Sequence, residues 1–550
     1  MVTRRPRGRH RHGRGEDGST VVVALVLATV VAILAAALVT RVASDADTAA
    51  RLHDRVVARR HAEHALLTTL AVAPATDWGE RLLAHRPVDA PVPVDVSGDT
   101  DERLRTLAVS VRSDPDGRTS TVRARATTPT VTTDALARIR PLVAADLVWF
   151  SEHRALDPVL QGIPRADCAA PPGADGRSAA CRDEPLRVRG LDGPLHGNEG
   201  VELPTDVTIT AATSSSHLTA DVSPAQPTLG DGSAEVLAGA PYDVIHRPEL
   251  RLPRRIDDVL AEVEVTCRFR GPTLLRFDGP TLHVRSPRSV PRAGDPLDPE
   301  QPIGCPGVDR AALASGASIV LPARAVITVV RDPVHDCVAH PLGIAEDDDT
   351  ERTWPCTGGD AFVWGRYAGE RTVVAEDDVQ LVWDVEPAVD VAGPDADRDL
   401  LGLVAGDSVV LRRPVGPAIR RLAPFGQNLP VSGPGLPPFG DGPLAAPTAE
   451  ATVWDSPRIV AALVALRGSV GVQNPFRGEP GAGPVTVVGS VANRFPGVFG
   501  WDIVNRRGAI VATTGYALDL SEDPRLREHL PPGLPALRGG GFRVLTLEVG

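Results

Sequence analysis

Three aspartates at alternate positions, Asp395, Asp397 and Asp399, stand in the run PDADRDLLG. Carboxylates spaced in this way supply oxygen ligands to calcium, and they are the only candidate metal set that the sequence offers. A full EF-hand loop also needs Gly at its sixth position and a bidentate Glu at its twelfth. Here Gly402 falls two places late and Gly406 occupies the Glu position, so a solvated acidic loop is the simpler reading. His196 lies near Glu199 in GPLHGNEG, where a general base could be built, but a polar turn between strands explains the same residues. Asp377, Asp378 and Asp407 could form a carboxylate ladder of the kind that cleaves polysaccharides. Aspartates at such corners more commonly accept backbone N–H groups in turns. The chain carries no GxSxG, no HExxH and no phosphate-binding glycine loop. The expectation is a protein without catalysis and without a cofactor.

The cysteines offer covalent chemistry instead. Cys168, Cys181, Cys267, Cys305, Cys337 and Cys356 are even in number, and none of their spacings gives a CxxC zinc pattern. His335 and His340 do not complete one either. An even set beyond a membrane span favours disulfides, and the spacing leaves several connectivities open. The short sequential gaps make Cys168–Cys181, Cys267–Cys305 and Cys337–Cys356 the simplest pairing.

These residues must be carried by a chain with an unusual beginning. Ser19 to Thr40 reads STVVVALVLATVVAILAAALVT, an uncharged run long enough for a bilayer, which needs about 20 apolar residues. Neither Gly nor Pro occurs from Ser19 to Ala73, so one helix over 19–73 is predicted. Its second half is amphipathic, with Ala49, Leu52, Val56, Ala62, Ala65 and Leu66 at helical spacing. Ala24, Ala28, Ala32, Ala35 and Ala36 lie in the apolar half, where small residues allow close helix packing in lipid. Arg4, Arg5, Arg7, Arg9, Arg11 and Arg14 precede the span and hold the N-terminus in the cytoplasm, which sends the bulk outward. The net charge of −12 gives no general nucleic-acid footprint. All 58 basic residues are Arg, a sign of a high-GC genome rather than of a function.

Beyond Pro74 a Pro- and Val-rich linker leads to two alternating runs, 104–110 and 119–126, joined by DPDG and predicted to form a hairpin. Gly and Pro then make up nearly a fifth of the chain, with 52 of each. That composition suits short strands and turns. Apolar runs recur at 372–382, 402–411, 459–472 and 486–495, each with a small residue and a polar corner. VAEDDVQL aligns over VAGDSVVL, as successive rungs of a parallel β-helix would. The fold class expected is mainly β: a long N-terminal helix, a hairpin region, then a right-handed parallel β-helix-like body. A β-sandwich with long loops is the alternative. The segments expected are a basic leader over 1–18, the helix over 19–73, a linker and hairpin over 74–158, and the β-rich body over 159–550.

Several phrases resemble known families. RGEDGST at 14–20 resembles the type IV prepilin junction, which implies cleavage between Gly18 and Ser19. An uncut signal anchor and a cleaved secretory signal are the other readings of this stretch. The fifth residue after that cut is Val23, where the major-pilin pattern has Glu. RRHAEHALL (59–67) and WFSEHRALDP (149–158) resemble phrases of the PilX-like pilus assembly proteins of actinobacteria. So do, in the same order, LDGPLHGNEGVEL (191–203), CRFRGPTLLRFDGPTLHVRSP (267–287), GDAFVWGRYAGERTVVAEDDVQLVWDV (359–385), VQNPF (472–476), VTVVGSVANRFPG (485–497) and TGYALDLSEDPRLREHLPP (514–532). The resemblance implies a minor pilin-like subunit of a type IV pilus or related secretion filament. It would be anchored by a single membrane pass and would contact other pilin-like subunits and the inner-membrane assembly machinery. The competing expectation is a membrane-anchored surface module whose β-rich body binds a carbohydrate or protein ligand, without a filament.

Overall fold

The computed structural model describes residues 17–73, 76–83, 87–92, 103–114, 119–169, 177–183, 186, 188–199, 208–209, 220–222, 249–261, 263–290, 303–333, 358–388, 398–412, 456–473, 483–504, 510–539 and 542–549. Helix α1 runs unbroken over Asp17–Val72. At about 1.5 Å per residue it is roughly 84 Å long. Among the described residues nothing covers its first half: Leu25, Leu38 and Val39 are 69%, 64% and 68% exposed. It is apolar and long enough to cross a membrane. Two hydroxyls within the apolar run are satisfied internally, Thr29 donating to the Leu25 carbonyl and Thr40 to that of Ala36. Were the helix in hydrocarbon, no other partner would be available to them.

From Asp54 onward one face of α1 is buried. Val57, Ala58, His61, Ala62, Ala65, Leu66 and Thr69 follow at steps of three or four residues, the period that keeps side chains on one helix face. Ala62, Ala65 and Leu66 belong to this face as expected. Leu52 and Val56 do not: they point away from it and are 56% and 65% exposed. The apolar positions of this half therefore form two stripes on opposite sides of the helix, and only one is covered by the described residues.

That partner is a five-stranded antiparallel sheet of Asp89–Val92, Thr106–Ser113, Ser120–Thr127, Thr132–Pro141 and Phe542–Val549, in that order. The predicted hairpin is its centre, with Val111 opposite Val122 and Thr106 opposite Thr127. Strand alternation sends Val109, Val111, Val122, Ala124, Ala126, Ala135, Ala137 and Ile139 to the helix side, where all are buried. Alanines on both elements let helix and sheet approach closely. The fifth strand is the last stretch of the chain, which crosses back to pair antiparallel with Thr132–Pro141. The short helix α2 (Asp77–Leu83) sits beside it, Trp78 stacking on Phe542 at 6.1 Å between ring centres.

Among the described residues the other strands form a nineteen-stranded sheet that curls on itself and a separate antiparallel pair, Gly500–Val504 with Ile510–Gly515. In its main part the chain alternates between two parallel stacks, and from Arg324–Val330 to Arg458–Ala465 each strand pairs with the one two places along; the antiparallel strands Thr281–Arg285 and Ala317–Val320 come before this regular part. One stack runs Cys267–Arg270, Arg324–Val330, Glu370–Ala375, Leu400–Ala405, Arg458–Ala465 and Pro484–Asn493. The other runs Thr273–Gly279, Ala361–Tyr367, Val379–Pro387, Val409–Leu411 and Val470–Val472. The aligned octapeptides are neighbours in this pairing. Val374 and Ala375 pair with Val404 and Ala405, and Val379, Gln380 and Leu381 with Val409, Val410 and Leu411. Gly406 stands beside Glu376 at the corner between the stacks. A Cβ there would lie 2.1 Å from the Glu376 carbonyl oxygen, so no larger residue fits.

The body's first strands close its far end. Trp149–Ser151 and Ala517–Ser521 both pair parallel with Pro484–Asn493, and Val188–Asp192 pairs in turn with Ala517–Ser521. Apolar side chains from both stacks, aliphatic and aromatic, fill one continuous core that includes Phe269, Phe277, Val363, Leu381, Leu403, Leu463 and Val487.

Candidate interaction surfaces

The acidic corner shows what its residues do. Asp360, Asp378, Ser408 and Ser469 lie at successive turns between the stacks and bond down the corner. The Asp378 N–H donates to Asp360 Oδ1 at 3.0 Å, the Ser408 N–H to Asp378 Oδ1 at 2.8 Å, and the Ser469 N–H to Ser408 Oγ at 3.2 Å. Ser469 Oγ then donates to Asp157 Oδ2 at 2.9 Å. Burial, and then the neighbouring charge of Asp378, push the Asp360 carboxyl well above its usual range. Asp377 points outward and receives Arg331 Nε at 2.8 Å and the Gly359 N–H at 2.8 Å. Burial raises its pKa, but the Arg331 and Gly359 bonds outweigh that and leave it below the usual range. Asp407 is paired with Arg165, which also reaches Asp157. These carboxylates hold turns and arginines, the use expected of corner residues.

His196 and Glu199 go to different partners. His196 Nε2 lies 2.8 Å from Asn198 Oδ1, with its ring stacked on Phe150. Asn198 then clasps the backbone of Leu250, accepting its N–H and donating to its carbonyl. Glu199 instead takes His153 Nδ1 at 3.0 Å and the Arg154 N–H at 2.8 Å. Of the calcium-like aspartates, Asp395 and Asp397 lie outside the described residues. Asp399 accepts the Gly369 N–H at 2.6 Å and is buried. Among the described residues no group of three or more His, Cys, Asp or Glu side chains is placed to hold a metal.

Cys168 is bonded to Cys181 and Cys267 to Cys305. The second bridge ties the first strand of one stack to the chain that packs beside it, where Arg268 and Gly304 exchange backbone hydrogen bonds. Cys337 and Cys356, with His335 and His340, lie outside the described residues. Gly18 and Ser19 fall in the first turn of α1, and residues 1–16 lie outside the described part. Ala24, Ala28, Ala32, Ala35 and Ala36 are all exposed. Their spacing of three and four residues places them along one side of the helix.

One constellation had no sequence signal. Arg140, at the end of its strand in the small sheet, donates from Nη1 and Nη2 to Asp146 at 2.5 and 2.6 Å. Arg543, on the last strand, reaches the same carboxylate at 2.7 Å. Asp146 also accepts the Val143 N–H at 2.9 Å. The two arginines meet only because strands some 400 residues apart in sequence are paired, so no local pattern marks them.

Among the described residues, the largest apolar surface left without a partner is on the helix. Its first half is bare on every side, and its second half bares a stripe through Leu52, Val56 and Leu67 opposite the sheet. No family model matches this chain, and no curated protein matches it. Among solved structures it is similar to the competence-associated pilin ComZ from Thermus thermophilus, at 10% identity over 90% of this chain and 97% of that one, with a TM-score of 0.25. A superposition that loose carries neither a fold nor a function over to this chain.

Proposed function

We propose that this protein is a single-pass, minor pilin-like subunit of a type IV pilus or related secretion filament, and that it works by packing rather than by catalysis. The observation that carries this reading is α1 itself. One continuous helix has a membrane-length apolar half and a second half that rides on a small antiparallel sheet with its opposite face bare. A plain anchor has no use for a long rigid extension with an uncovered apolar stripe. In this reading the alanines from Ala24 to Ala36 contact neighbouring helices in lipid, and Leu52, Val56 and Leu67 contact them once the helix has left it. The arginine-rich start stays cytoplasmic, the chain is cut after Gly18, and the remainder is extracytoplasmic. Parallel pairing between every second strand supports reading the body as a β-helix-like solenoid carried on that stem. Val23 in place of the major-pilin Glu, together with the bulk of the body, favours a place at a tip or in an initiation complex over one repeated along a shaft.

The experiment replaces Ala28 and Ala32 with Leu and counts surface pili while checking that the protein still inserts. A fall in pilus number is expected, approaching that of a full deletion. Protease added to protoplasts of the same strain is expected to digest the portion beyond residue 74. Unchanged pili in both the double variant and the deletion would rule out an assembly role and leave the ligand-binding surface module.

A further inference from the structure

Beyond Val42, seven large hydrophobic side chains among the described residues are exposed, and six of them lie on α1 or on the last strand. The body has one, Val320. Exposed apolar groups gathered on one part of a molecule mark a contact surface. Leu52, Val56 and Leu67 form the free stripe of α1, while Val544 and Leu547, 45% and 52% exposed, belong to Phe542–Val549. Register fixes where this second pair points. Val544 stands opposite Ile139 and Leu547 opposite Ala137. Directly opposed residues share a face of the sheet, and Ile139 and Ala137 are buried on the side of α1. The pairing slips by one residue between Val544 and Thr546. Without that bulge, alternation would turn Leu547 to the opposite face.

The helix itself lies chiefly over Ser120–Thr127 and Thr132–Pro141 and touches the last strand only lightly. The apolar face of the sheet therefore runs one strand past α1 and makes a ledge a step below it. Phe542, stacked on Trp78, closes one end of this ledge. Among the described residues no strand pairs with its outer edge. Outside the membrane-length run the chain thus carries two different apolar surfaces, a convex ridge at Leu52 and Val56 and a recessed ledge at Val544 and Leu547. A ridge fits a ledge and not another ridge, so two copies meet through unlike surfaces, a heterologous contact. The flanking charges agree with this. Arg55 beside Val56 and Glu548 beside Leu547 are exposed, and neither has an ion-pair partner among the described residues. Ridge on ledge brings these opposite charges together, whereas ridge on ridge sets Arg55 against Arg55.

We propose that a second copy of this chain docks its Leu52 and Val56 on the ledge of Val544 and Leu547, with its Arg55 facing Glu548. The inference deepens the pilus reading and rests on it for one thing, that both stems stand side by side in one direction. Two side chains from each partner make a contact smaller than the roughly 1,200 Å² at which stable soluble complexes begin. It therefore depends on both chains being confined to one membrane, which raises their effective concentration. Full-length chains with different tags, one carrying Val56→Cys and the other Leu547→Cys, are co-produced in bacterial membranes and treated with a short bis-maleimide. A dimer carrying both tags is expected, about fivefold above the dimer that either variant forms alone. Glu548→Arg in the Leu547→Cys chain should lower its yield about threefold, and Arg55→Glu in the partner chain should restore it. Both charge reversals are at exposed positions and leave the fold intact. Absence of the mixed dimer with both chains inserted overturns the proposal. So does a dimer of Val56→Cys chains in equal yield, or a mixed dimer that Glu548→Arg leaves unchanged. Pilus counts are read separately: if the Ala28 and Ala32 variant loses pili while no mixed dimer forms, the pilus reading stands and this contact falls.

Discussion

Two buried or paired aspartates respond to pH in opposite directions, and each belongs to a different part of the molecule. Asp360 sits at the corner of the body with a raised pKa, caused first by burial and then by the charge of Asp378. Its folded state holds the proton more tightly than the unfolded chain does. The contribution of this site is therefore complete below the unfolded pKa of about 3.9 and is lost as the pH rises through the folded value. Asparagine keeps the carbonyl oxygen that accepts the Asp378 N–H and removes the charge. Asp360→Asn is expected to raise the Tm at pH 7 and to change it little near pH 4, each pKa unit removed being worth about 1.4 kcal/mol. Thermal melts at both pH values check this, and a variant less stable at pH 7 would contradict it. Asp134, on the small sheet, is held below the usual range by hydrogen bonds first from Arg125 and then from Arg123. Its contribution is present above the unfolded pKa and is lost on acidification. Acidification below about pH 4, and not milder acid, should therefore loosen the sheet beneath the helix while leaving the corner of the body intact.

At the level of elements, the two disulfides close loops of different length. Cys168 and Cys181 are 13 residues apart, and Cys267 and Cys305 are 38 apart. In the chain-entropy view the longer loop stabilises by about 4 kcal/mol and the shorter by about 3 kcal/mol. Replacing Cys267 and Cys305 together by Ser should therefore lower the Tm more than replacing Cys168 and Cys181 together. Calorimetry of the two double variants decides the order, and the reverse ranking would show that local packing, not loop closure, sets the contribution. The helix teaches a related lesson. Its amphipathic half reads as one apolar face in sequence, yet only the stripe through Ala58, Ala62 and Ala65 meets the sheet. Leu52 and Val56 occupy the opposite side, and this split makes the second stripe available to a neighbour.

The molecule as a whole is closed by its last strand. Phe542–Val549 leaves the body and returns to the small sheet, so that Arg543 and Arg140 converge on Asp146, where the body begins. Asp146 and Arg140 are almost completely buried. Removing the carboxylate leaves the buried Arg140 guanidinium without its charge partner, beside the partly exposed Arg543, and breaking a buried pair in this way typically costs about 3–5 kcal/mol. Asp146→Ala is expected to destabilise the chain by that order and to make the junction between the small sheet and the body the first site of limited proteolysis. Cleavage that begins elsewhere, with an unchanged Tm, would mean that the last strand holds the two parts together without the ion pairs.

The sequence alone determined what depends on neighbours along the chain. The absence of Gly and Pro after Ser19 fixes one long helix, and alternation over 104–126 fixes the hairpin. Matching VAEDDVQL with VAGDSVVL locates strands that pair residue for residue, because stacked turns place like side chains over like. The corner aspartates were readable as turn residues for the same reason. Tertiary structure decided what depends on distant pairing. The last strand joins a sheet some 400 residues upstream, Trp149–Ser151 docks beneath a strand near residue 490, and three arginine and aspartate side chains meet at the junction. The bulge between Val544 and Thr546 belongs here too: it is defined by register against Thr132–Pro141, and a slip between two strands leaves no mark in either one read alone.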